Sequence, residues 1–195
     1  MVCPAAADAL IDEEDFDRNE RLPYWADLWP SAIALARRVA VLDLTGKLVI
    51  ELGCGLGLPS IAALSRDASV LATDHYEEAL DFAAYNARAN LGSRLDGKLE
   101  TLQLDWRTPE QDLPRFDLVL AADVLYDKMN VAPLVNLVPK LLHQNGRFLL
   151  ADPGRDYAGK FLEAMEQRGL DQSVESAVVE HDGRSVEVML YRLQR

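Results

Sequence analysis

Apolar residues come in two rhythms along this chain: short continuous runs, and longer stretches in which they recur every three to four positions. Val49, Ile50 and Leu52 form a run suited to a strand buried on both faces. Similar runs predict strands at 69–73, 99–104, 116–122 and 147–151. Helical spacing predicts a helix over 31–42, with Ile33, Ala36, Val39 and Ala40 on one face. Further helices are predicted at 60–66, after Asp74, from about 130 to 143, and near 157–168. Pro59 suits a first helical turn, where its missing N–H has no partner to lose. Pro133 fits such a turn too, whereas Pro139 predicts a kink or a break. The last two strands, 174–180 and 185–193, are joined by His181-Asp-Gly-Arg184, a hairpin turn.

Strand and helix alternate, so the fold class is α/β: a Rossmann-like, doubly wound, mostly parallel sheet with helices on both faces and a C-terminal antiparallel hairpin. The segment Glu51-Leu-Gly-Cys-Gly-Leu-Gly57 follows the first strand and precedes a helix. Gly53, Gly55 and Gly57 let backbone approach a ligand with no Cβ in the way. The spacing fails the dinucleotide fingerprint G-x-G-x-x-G, because the third glycine would fall on Leu58 or Ser60. Glu51 would also repel a phosphate, so the loop suits a cofactor with a cationic or amino-acid portion.

A length of 195 residues supports one sizeable core. The acidic segment 1–22 is expected to be flexible, and 23–195 to form a single domain. Thirty-two acidic against twenty basic residues give a net charge of -12. That balance opposes nucleic acid and anionic membranes as partners, and much of the acidic excess lies in residues 8–20. The two cysteines, Cys3 and Cys54, make no disulfide framework. Without a leader pattern or a run of about 18 apolar residues, a cytoplasmic protein is expected. A monomer is the expected state, and no metal site is expected.

Four groups of residues could carry chemistry. Asp74 ends the second strand, beside the crevice where open α/β sheets bind ligands, and could accept two ribose hydroxyls. Alternatively it caps the next helix together with Glu77. Asp105 and Trp106 end the third strand and could hold an adenine by its amine and by its face. Asp123 and Tyr126 follow the fourth strand and could orient an amine nucleophile; otherwise they cap a loop and pack on the rim. Trp25 and Trp29 flank Asp27 as a wall for a sulfonium or as anchors for the N-terminal segment.

Together, Pro23-Tyr-Trp-Ala-Asp-Leu-Trp-Pro-Ser31, Glu51 to Gly57, Asp74, Leu104-Asp-Trp106 and Ala122-Asp-Val-Leu-Tyr126 resemble methyltransferase family 16. Its members are class I, seven-β-strand S-adenosylmethionine (SAM) enzymes that include protein lysine methyltransferases, and bacterial members named as nicotinamide N-methyltransferase-like. The resemblance covers roughly residues 20 to 155. It implies SAM as cofactor, held by Trp29, Glu51, Gly53, Gly55, Gly57, Asp74, Asp105, Trp106 and Ala122, with Asp123 and Tyr126 of the D-x-x-Y motif as catalytic residues. The Asn-Pro-Pro-Tyr loop of glutamine and DNA amino-methyltransferases is absent, as is any substrate-recognition insertion.

The expected function is SAM-dependent methylation of an exposed lysine on a protein substrate. Methylation of a small amine or pyridine is the nearest alternative, and a SAM-binding module without catalysis the next. A nicotinamide-dependent oxidoreductase is disfavoured by the glycine spacing.

Overall fold

A computed structural model describes residues 1–4, 23–95, 97–109 and 112–195. The acidic run 8–20, and with it the expectation of a flexible N-terminal segment, lies outside the described residues. Seven strands form one sheet: β1 (Leu48–Leu52), β2 (Ser69–Asp74), β3 (Leu99–Gln103), β4 (Phe116–Ala122), β5 (Leu142–Asp152), β6 (Asp171–His181) and β7 (Arg184–Gln194). Their order is β3-β2-β1-β4-β5-β7-β6. The first five are mutually parallel, and β7 inserts antiparallel between β5 and β6. Asp182 and Gly183 both adopt positive φ, 48° and 71°, as a two-residue hairpin turn that follows the strand twist requires.

Among the described residues five α-helices cover the sheet: α1 (Pro30–Val39), α2 (Leu58–Leu64), α3 (Glu77–Leu91), α4 (Lys128–Leu141) and α5 (Ala158–Glu166). Consecutive strand residues face opposite layers. Ile50, Leu52, Val119, Ala121, Phe148 and Leu150 pack with α4 and α5. Val49, Leu118, Leu120, Leu149 and Ala151 pack with α1 and α2. Burial on both faces explains why the central strands read as unbroken apolar runs rather than alternating ones.

Two expectations are corrected. The buried face of α1 is Ser31, Ala34, Leu35, Ala36 and Val39, and Ala40 is exposed. On that face Ala34, Leu35 and Val39 pack into the core, and Ser31 reaches inward with its Oγ 3.4 Å from Oδ2 of Asp123. Helix α4 begins earlier than the apolar pattern indicates, because the Asp127 carboxylate caps it by accepting from Met129 N at 2.8 Å. Pro133 therefore falls in the second turn rather than the first, and the helix continues through Pro139 to Leu141. A proline inside a helix costs about 3 kcal/mol. Burial of Leu134, Val135, Leu137, Val138 and Leu141, at about 1.5–3 kcal/mol each, outweighs it.

Candidate active site

All five parallel strands run the same way, so their carboxyl ends and following loops share one edge, and the strand order reverses between β1 and β4. A ligand crevice is expected there. A cavity of about 900 Å³ opens at this point. Every residue singled out in the sequence lines it: Trp29, Glu51, Gly53, Gly55, Gly57, Asp74, Asp105, Trp106, Ala122, Asp123 and Tyr126.

Glu51 is fully buried and accepts from Ser60 N at 2.9 Å and from Ser60 Oγ at 2.5 Å. Burial pushes its carboxyl up to about 8 against those two hydrogen bonds. Asp74 accepts from Gly55 N at 2.9 Å and from Tyr76 N at 3.2 Å. Burial raises its carboxyl as well. The capping alternative for Asp74 is not realised: Tyr76 is the N-cap of α3, and no side chain caps it. Burial, together with the charges of Asp74 and Glu51, holds Cys54 as an unreactive thiol.

Asp105 is clasped by Arg107, whose Nε lies 2.9 and 3.1 Å from the two carboxylate oxygens. This ion pair holds the acid down to about 2. Trp106 packs against the glycine loop so closely that a Cβ on Gly53 would lie 3.2 Å from its ring. Its Nε1 is buried with no partner.

Asp123 has φ 57°, a left-handed conformation uncommon outside glycine. Its Oδ1 accepts from Arg155 Nε at 2.7 Å. The neighbouring aromatic wall is continuous: Tyr24 stands 5.6 Å from Tyr126 and 6.1 Å from Trp29, centroid to centroid, both edge-on. Both tryptophans line the cavity, but they are held differently. Trp25 is the anchor, buried against Phe82 of α3 at 5.7 Å. Trp29 is part of the wall, its Nε1 donating to Tyr24 O at 2.7 Å.

Sequence reasoning missed Arg155, Ser31, Ser60 and Asp152. Ser31 and Ser60 lie in helices; Ser31 closes the Pro23 to Ser31 motif, which gives it no role, and no motif points to Ser60. Asp152 and Arg155 could have been found by topology, since they follow β5 and must share the rim with Asp74 and Asp123. Asp152 accepts from Gly154 N at 2.8 Å and Arg155 N at 2.6 Å, a turn that directs Arg155 at the cavity. Among the described residues no cluster of ligating side chains could hold a metal ion.

A family model described as lysine methyltransferase matches residues 24–168. The chain belongs to that family. Mouse EEF1A lysine methyltransferase 3 is 30% identical over 177 residues, covering 89% of this chain and 74% of that protein. Mouse protein N-lysine methyltransferase METTL21A is 34% identical over 130 residues, 65% of this chain and 59% of that protein. A histidine protein methyltransferase 1 homolog of Dictyostelium discoideum is 34% identical over 113 residues, 56% of this chain and 36% of that protein. The chain spans 36% to 59% of the length of the first curated relatives it matches. Among solved structures, magnesium protoporphyrin IX methyltransferase from Synechocystis PCC 6803 with bound SAM has a TM-score of 0.68. It is 19% identical, and the match covers 98% of this chain and 100% of that one. At that identity it shows the fold alone, the seven-stranded methyltransferase sheet expected from the sequence.

Proposed function

We propose that this chain is a SAM-dependent N-methyltransferase acting on a lysine side chain of a protein. The observation that carries the reading is the Asp123 carboxylate: buried, in a left-handed backbone, inside the cavity, and already holding a cation.

The cavity's chemistry fits the cofactor. Its volume of about 900 Å³ suits a ligand of that size. Burial disfavours the ionised carboxylates of Glu51 and Asp74, so a cationic sulfonium or amino group placed beside them would stabilise those charges. Gly55 N is engaged by Asp74 and is not turned outward as a phosphate donor. In this reading Gly53, Gly55, Gly57 and Glu51 surround the amino-acid portion, Asp74 receives the ribose hydroxyls, and Asp105 with Trp106 receives the adenine. Trp29 and Ala122 complete the wall. Bound SAM supplies an electrophilic methyl carbon, whose former bonding pair stays on sulfur.

The acceptor amine enters over Tyr24 and Tyr126. Asp123 holds it first as an ammonium, which a carboxylate favours, so the proton must leave to water at the mouth before attack. The neutral amine is then oriented by Asp123 and Tyr126. The protein's contribution is alignment and exclusion of water rather than covalent chemistry, effects worth several kcal/mol of barrier. Tyr126 and Tyr24 are exposed at the mouth, an arrangement that admits a side chain carried by a protein. A cytosolic site of action belongs to the same proposal and is supported by both cysteines being free thiols.

Tritiated methyl transfer from SAM into a lysate of the source organism lacking its own copy tests the reading, followed by gel separation and mass spectrometry. Label in a discrete band at a lysine supports it. Label at a histidine would move the acceptor chemistry, label only among small molecules would favour a free amine or pyridine, and no label would leave a binding module.

A further inference from the structure

Arg155 is the cationic side chain set against Asp123, and nothing in the methyl-transfer reading requires it. Its placement is specific. Asp152 ends β5 and binds the backbone N–H groups of Gly154 and Arg155, so the base of the arginine is fixed. Its head is not fixed to the same degree: the side chain is 35% exposed, whereas that of Asp123 is 7% exposed. The contact runs through Nε to one carboxylate oxygen at 2.7 Å, a single bond rather than the forked pair that arginine and a carboxylate can make. A guanidinium held this way can swing outward along its stem while the carboxylate stays in place.

We propose that Arg155 is a resident surrogate for the acceptor ammonium: it keeps Asp123 paired while the site is empty, and the incoming lysine takes Asp123 from it. The inference rests on the reading above, in which Asp123 meets the amine. Its physical basis is the cost of an unpaired buried charge, which several kcal/mol of lost solvation would impose on Asp123 in an empty site. Exchange of one cation for another avoids that cost while the acceptor enters. The arrangement also sets a threshold. An acceptor binds only with what its ammonium gains at Asp123 beyond what the guanidinium loses, so contacts elsewhere on the substrate must supply the remainder. A free amino acid would bind weakly, and a lysine presented by a complementary protein surface would bind well.

The test uses Nα-acetyl-lysine amide as probe, titrated by calorimetry into protein saturated with S-adenosylhomocysteine. Arg155→Met should bind the probe about tenfold tighter than wild type, because a charge-assisted hydrogen bond no longer has to be broken. Arg155→Lys, which keeps a competing cation, should stay near wild type, and Asp123→Asn should abolish binding in either background. If Arg155 merely props Asp123 in place, Arg155→Met binds more weakly; that outcome overturns the proposal while the Asp123 dependence leaves the underlying reading intact. If Asp123→Asn has no effect on probe binding, the underlying reading itself fails. A second measurement needs no altered fold: the Arg155 Nε–H resonance of wild-type protein, assigned by its loss in Arg155→Lys, should shift and exchange faster with water as the probe is added. An unmoved resonance at saturation means that the guanidinium never leaves Asp123.

Discussion

Gly57 joins the glycine loop to α2 and sits at φ 81°, with Ala83 of α3 directly opposite. A Cβ at Gly57 would lie 2.8 Å from the Cβ of Ala83 and 3.1 Å from its Cα. Two separable costs follow for Gly57→Ala. The left-handed conformation costs an alanine about 1–2 kcal/mol, and the overlap with Ala83 about 1–3 kcal/mol, typical of an extra methyl group in a packed interior. The variant should therefore lose about 2–5 kcal/mol. Ala83→Gly alone should lose about 2 kcal/mol, from a helical glycine and one buried methyl group. In the double variant the 2.8 Å overlap with the Ala83 Cβ is gone, while the strain and the 3.1 Å approach to its Cα remain, so its loss should fall short of the sum by about 1–3 kcal/mol. Urea unfolding of the four proteins measures this coupling directly, provided that the slope with denaturant is unchanged. Additivity within about 0.5 kcal/mol would refute the reasoning, because it would mean that the loop escapes Ala83 without cost.

Asp74→Ala should weaken SAM binding by about 1–3 kcal/mol, the cost of leaving polar groups unpaired; unchanged affinity by calorimetry would mean that the carboxylate serves only the Gly55 and Tyr76 amides. Asp123→Ala should abolish methyl transfer and leave SAM affinity nearly intact, and loss of both would place Asp123 in the cofactor's pocket instead. Glu51 gives a pH signature: its carboxyl is raised from 4.5 to about 8 in the folded chain, so the protein holds a proton that the unfolded chain has released. Its contribution to stability is complete below about pH 4.5 and is lost as the pH rises to about 8. The difference in unfolding free energy between wild type and Glu51→Gln should fall across that window, and a flat difference would show that Glu51 is ionised in place.

Much of this architecture was legible because its causes are local. The runs at Val49 to Leu52 and Phe116 to Ala122 are apolar at successive positions because both faces of those strands are covered, and Asp182-Gly183 suits the turn it makes. The candidate site was legible for the same reason: in a parallel sheet, residues just past the strand ends share one rim whatever their distance in sequence, so Asp74, Asp105 and Asp123 converge. Other features depended on partners that the sequence does not pair. The buried face of α1 depends on what packs against it, including Ser31 meeting Asp123 across 92 positions. Asp105 reads as a free acceptor until Arg107 is seen to clasp it. Pro139 reads as a helix breaker because the cost of proline is local while the burial that offsets it comes from the sheet.

The rim also explains the site's selectivity for charge. Each of the five parallel strands delivers one acid at its carboxyl end: Glu51 from β1, Asp74 from β2, Asp105 just past β3, Asp123 just past β4 and Asp152 from β5. Each has its own partners, although Oδ2 of Asp152 is buried without one. Glu51 has Ser60, Asp74 has two loop amides, Asp105 has Arg107, Asp123 has Arg155, and Asp152 has the amides of its own turn. Only two of these five partners are cations, and although Glu51 holds its proton at neutral pH the four aspartates still outnumber the two arginines, with low-dielectric walls around them. A phosphate-bearing cofactor would have to enter against that field, whereas a sulfonium and an ammonium enter with it. The two protein cations also differ in what they can release. Arg107 grips both oxygens of an acid at the outer edge, while Arg155 touches one oxygen of the buried acid at the centre, the difference on which the proposed exchange at Asp123 rests.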